Sequence, residues 1–120
     1  MNIKIHTVNG IKIAELVSDE PVINKLEDGV DLVGNVYYQD AERVFLHENA
    51  VSPAFFDLKT KLAGDILQKF SNYRMRLAIV GDFEKYPSKS LQDFIRESNQ
   101  GKRINFVSSP AEALTVLSAG

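Results

Sequence analysis

Two carboxylates and an imidazole stand where two apolar runs of this chain end. Arg43–His47 is followed by Glu48 and Asn49, and Leu77–Val80 by Gly81 and Asp82. Two carboxylates with an imidazole can hold a divalent cation or serve general acid–base chemistry. Lys59 would add a cation to this candidate ligand set of His47, Glu48, Asp82 and Lys59. The competing reading makes Asn49 and Asp82 turn residues, Glu48 a solvated side chain and His47 a hydrogen-bonded strand residue. No His-x-x-x-His pair or equivalent spacing accompanies them. No metal ligand set, catalytic set or cofactor is therefore assigned.

Other chemistries lack their signatures. With no cysteine and only His6 and His47, disulfides, thiolate catalysis and zinc-finger ligation are excluded. Neither G-x-G-x-x-G nor G-x-x-x-x-G-K-[ST] occurs, so no phosphate cradle is marked. The serines lack a G-x-S-x-G elbow. The net charge of −2 argues against nucleic acid as a partner. Residues 1–60 hold five Lys and Arg against ten Asp and Glu, and residues 61–120 nine against six. That split suits either a bipolar surface for protein association or solvated helix faces.

The elements that must position these residues follow from periodicity. Asn2–Val8 and Ile11–Leu16 alternate around Asn9-Gly10, the pattern of an antiparallel hairpin. Ser18 or Asp19 would cap a helix entering at Glu20-Pro21, with a break or kink at Asp28-Gly29. After the strand Arg43–His47, Ser52-Pro53 starts a helix whose stripe is Phe55, Leu58, Leu62, Ile66 and Phe70. Leu77–Val80 is the next strand. Ser90 with Asp93 reads as a capping box ahead of Leu91, Phe94 and Ile95. Arg103–Val107 is the fifth strand, and Ser109-Pro110-Ala111-Glu112 opens the last helix. The order is ββαβαβαβα, a single α/β domain of 120 residues with a mostly parallel sheet and an antiparallel N-terminal hairpin. No apolar stretch is long enough to span a membrane. The polar–apolar alternation of Met1–His6 differs from a signal peptide, and a cytoplasmic location is expected.

This order, with a hairpin first and a proline-started helix after the third strand, resembles the STAS fold of sulfate-transporter tails and anti-sigma-factor antagonists. The runs FFDLKTKLAGDILQKFSNYR from Phe55 to Arg74 and LAIVGDF from Leu77 to Phe83 resemble a family of short bacterial proteins catalogued only as a domain of unknown function, of the 4180 type. The likeness runs from the hairpin to the last helix. Antagonists carry a phosphorylatable serine in an Asp-Ser-Ser/Thr-Gly motif where the third strand meets its helix. Here that junction reads HENAVSPAFFD and the motif is missing. Ser52 is the nearby serine at which phosphorylation would fall, the alternative being a helix cap.

The resemblance implies a non-catalytic, cytoplasmic interaction or regulatory module with an unknown protein partner, a homodimer included. The candidate contact residues are Phe56, Asp57 and Lys59 at the start of the central helix and Tyr73 and Arg74 at its end. Phe55 is expected to enter the core and Phe56 to be exposed, because adjacent helix positions point about 100° apart. The alternative is a small-molecule or metal-binding protein, an enzyme included, with its site at the carboxyl ends of the parallel strands.

Overall fold

A computed structural model describes residues 1–119. Asn9 and Gly10 both adopt positive φ, 53° and 79°, the backbone that a two-residue hairpin turn requires. They join β1 (Ile3–Val8) to β2 (Ile11–Leu16), paired antiparallel with Val8 opposite Ile11. β3 (Arg43–His47), β4 (Arg76–Val80) and β5 (Ile104–Val107) then add in sequence order, each parallel to the strand before it. The expected mostly parallel sheet with an antiparallel hairpin is the observed one.

Strand alternation divides the core in two. Val44, Leu46, Leu77 and Ile79 face one side, covered by α1 (Leu26–Tyr38), α2 (Leu62–Asn72) and α3 (Lys89–Gln100). Ile13, Phe45, Ala78, Val80 and Val107 face the other, where Ala113 and Leu117 of α4 (Pro110–Ser118) cover them. One short helix does not cover a five-stranded face. Toward β1 the second face carries His6 and Glu15, which are only partly buried.

Four local expectations are corrected. The first helix starts at Leu26, not at Pro21, because Ile23 is held extended in a parallel bridge to Val51. Asp28 accepts from the amides of Asn24 and Lys25 and so fixes the helix start. Gly29 does not break α1; it lies inside it, buried where a Cβ would stand 3.2 Å from Ile66 Cγ2. Its small size allows α1 and α2 to approach closely.

The segment after β3 is not helical from Ser52. It makes three 3₁₀ turns, Glu48–Ala50, Pro53–Phe56 and Leu58–Thr60, and α2 begins only at Leu62. Ser52 caps the middle turn, its Oγ accepting from Ala54 N at 3.2 Å. The third helix is capped by Ser88, whose Oγ accepts from Leu91 N, and not by Ser90. Asp93 pairs with Lys89 and Arg96 on the helix surface.

Candidate functional site

The 3₁₀ turn that ends β3 carries Glu48 over the start of the loop after β4. Glu48 Oε1 lies 3.3 Å from the Asp82 amide, which donates to it. Its other oxygen accepts from the Tyr86 hydroxyl and from Lys85 Nζ at 2.9 Å. Burial alone would raise the Glu48 pKa, but the Lys85 ammonium, the Tyr86 hydroxyl and the Asp82 amide outweigh it and hold the carboxyl below its ordinary value. The same burial and the Glu48 charge raise the Tyr86 phenol well above the usual tyrosine range. At neutral pH the pair is a fixed carboxylate and a fixed neutral phenol.

The Tyr86 ring stacks on Phe56, 5.0 Å between centroids and 17° from parallel, and Lys85 Nζ lies 5.4 Å from the Tyr86 ring centre. These residues line one side of a cleft of about 340 Å³ beyond the carboxyl ends of the strands, with Asp19 and Pro21 on its rim. Position at the strand ends matches where open α/β sheets bind ligands.

Of the expected set, only Glu48 lines this cleft. Asp82 contributes its amide, while its residue lines a second crevice, of about 540 Å³, beside Ser108 and Glu112. The cation beside Glu48 is Lys85, not Lys59. Lys59 sits in the third 3₁₀ turn with its amide bonded to Asp57 Oδ1, and does not line the cleft. Asp57 is used as that turn's cap. The sequence did carry a signal for Lys85 and Tyr86, a cation and an aromatic in the loop after β4, but not their convergence on Glu48.

His47 turns to the opposite face of the sheet. There its Nε2 lies 2.8 Å from Glu15 Oε2, and His6 Nε2 lies 2.9 Å from Glu15 Oε1. Phe45 sits between the two imidazoles, at 5.7 and 6.0 Å. Burial raises the Glu15 carboxyl and the two histidines more than offset it, so its pKa is lowered. Among the described residues no group of three or more His, Asp or Glu could hold a metal ion; the imidazoles here are directed at the carboxylate oxygens.

The expected exposure of Phe56 is corrected. Phe56 is 6% exposed, and Phe55 2%. The loop after β4 folds back and covers Phe56 with Tyr86 and Phe83, the latter at 5.9 Å. Tyr73 is 49% exposed and Arg74 is exposed, but they follow the far end of α2, about 16 Å along its axis from the Phe56–Lys59 turns. The five residues do not form one patch.

A family model described as Domain of unknown function (DUF4180) matches residues 8–117. No curated protein and no solved structure matches the chain.

Proposed function

Since the chain belongs to the family described as Domain of unknown function (DUF4180), a description that carries no activity, we propose its function from the strand-end cleft: non-catalytic binding of a small amphipathic amine. The observation that carries this reading is the state of the Glu48–Tyr86 pair. A carboxylate with a lowered pKa is a weak base, and a phenol with a raised pKa is a weak acid and nucleophile. Such a pair orients a ligand better than it moves protons. The stacked Phe56 and Tyr86 rings offer an apolar wall, while Asp19 and Glu48 outnumber Lys85 on the polar side. A ligand with an apolar body and an amine complements both.

The ββαβαβαβα order supports reading this binding as regulatory, in a STAS-like module of the bacterial cytoplasm that passes the bound state to a protein partner. The test is ligand-observed NMR with aromatic and aliphatic amine fragments. Saturable binding that weakens in Asp19→Asn and in Glu48→Gln is expected. If no amine binds the wild-type chain, or both variants bind as it does, the reading fails. Asp19 is exposed, so its variant reports on the cleft even where Glu48→Gln disturbs the fold.

A second reading, protein association with a homodimer included, draws on Tyr38, 88% exposed, and Tyr73, 49% exposed. They lie at the ends of α1 and α2, which the Tyr37 hydroxyl ties together by donating to the Tyr73 carbonyl. Aromatic residues are enriched at interface centres. Sedimentation of wild type and of Tyr38→Ser/Tyr73→Ser decides it: a wild-type chain that is monomeric at high concentration removes the homodimer.

A further inference from the structure

The starts of β4 and β5 lie side by side, because the strands are parallel and Leu77 registers with Ile104. Four basic residues meet at this end of the sheet, remote from Glu48: Arg74 and Arg76 at the entry to β4, Lys102 and Arg103 at the entry to β5. They line a concavity of about 390 Å³ and are the residues that form its wall among those described.

Arg76 has a structural task. Its Nε donates to Lys102 O at 2.9 Å, Nη1 to Ala119 O at 2.9 Å and Nη2 to Val116 O at 2.8 Å. It therefore secures the end of α4, where cations are favoured, and Arg43 assists through Leu117 O. The other three cations have no such task. Arg74, Lys102 and Arg103 are exposed, and among the described residues none forms an ion pair. Arg103 makes one long bond, to Ser71 O at 3.4 Å. Arg74 holds a left-handed backbone, φ 57°, where glycine or asparagine is the usual occupant. Burial first, then the neighbouring Arg43 and Arg103 cations, lower the Arg76 pKa.

We propose that this concavity binds an oligophosphate group, either free or as the phosphate chain of a nucleotide-sized molecule. Three cations around one hollow match a multiply charged anion better than a monocarboxylate, and arginine forks take phosphate oxygens in pairs. A hollow of this size suits a single small ligand, whereas a nucleic-acid strand needs a continuous basic track. The net charge of −2 agrees, since nucleic-acid binders present broadly basic surfaces. The site is independent of the amine cleft at the opposite strand ends.

Calorimetric titration of the whole chain with sodium tripolyphosphate tests this. One-to-one binding is expected, weakened about tenfold or more by Lys102→Gln or Arg103→Gln and abolished by the double variant. Arg74→Asn, which keeps the left-handed backbone, weakens it as well, and Lys89→Gln on α3 leaves it unchanged. All four positions are exposed, and circular dichroism verifies each fold. Adenosine triphosphate separates the two sources: tighter binding than tripolyphosphate assigns the site to a nucleotide, equal binding to the phosphate chain alone, and both support the site. A flat wild-type titration overturns it, as does a double variant that binds like wild type. Tighter, more salt-dependent binding of a short single-stranded RNA also overturns it.

Discussion

Gly81 leaves no room for a side chain beneath Glu48: a Cβ there would stand 2.6 Å from Glu48 Oε1 and 2.7 Å from Glu48 Cβ. The closeness is steric, and it is what allows the β3 and β4 ends to share one carboxylate with Lys85 and Tyr86.

Gly81→Ala should therefore push Glu48 off its partners. A stability loss of about 1–3 kcal/mol is expected in chemical denaturation, as for other overpacked sites. Ultraviolet difference titration should show Tyr86 ionising closer to the ordinary tyrosine value, because its Glu48 partner has moved. A variant as stable as wild type, with Tyr86 still raised, would contradict the crowding.

Two carboxyls predict the acid limb of stability. Glu15 and Glu48 both have folded pKa values below the ordinary 4.5. A lowered folded value means stability that is fully present above pH 4.5 and lost as pH falls through the folded pKa. Glu15→Gln and Glu48→Gln should each make the fall in stability below pH 4.5 shallower, measured by urea denaturation across that range. Tyr86 acts at the other end with the opposite sense. Its folded value is raised above the ordinary 10.0, so its contribution is present below pH 10 and is lost as pH rises through the folded value.

Phe56 now belongs with the core. Phe56→Ala should destabilise the fold by about 3–5 kcal/mol, as removal of a buried aromatic does. Ile66→Ala, buried in α2 against Gly29, should cost about 2–5 kcal/mol, with Leu62→Ala less because Leu62 is only partly buried. Denaturation curves for the three variants check the ranking. A loss below about 1 kcal/mol for Phe56→Ala would return that ring to the surface.

The sequence by itself determined what depends on near neighbours. Asn9-Gly10 selects the hairpin because few other pairs accept positive φ twice, and the turn then sets the register. That register places His6 and Glu15 on one face, since Glu15 lies opposite Lys4 and strand side chains alternate. The helix-connected apolar runs likewise require parallel strands, and β3, β4 and β5 are parallel.

Tertiary structure decided everything that depends on which strands are neighbours and what covers them. His47 reaches Glu15 only because β2 lies beside β3, with Glu15 opposite Phe45; no periodicity in either segment encodes that pairing. Glu48 meets Lys85 and Tyr86 for the same reason, β3 lying beside β4. Phe56 was expected to be exposed because its helical neighbours can be counted along the chain. The Phe83 and Tyr86 rings that bury it arrive from the loop after β4, and such burial is a property of the folded layers, not of local spacing.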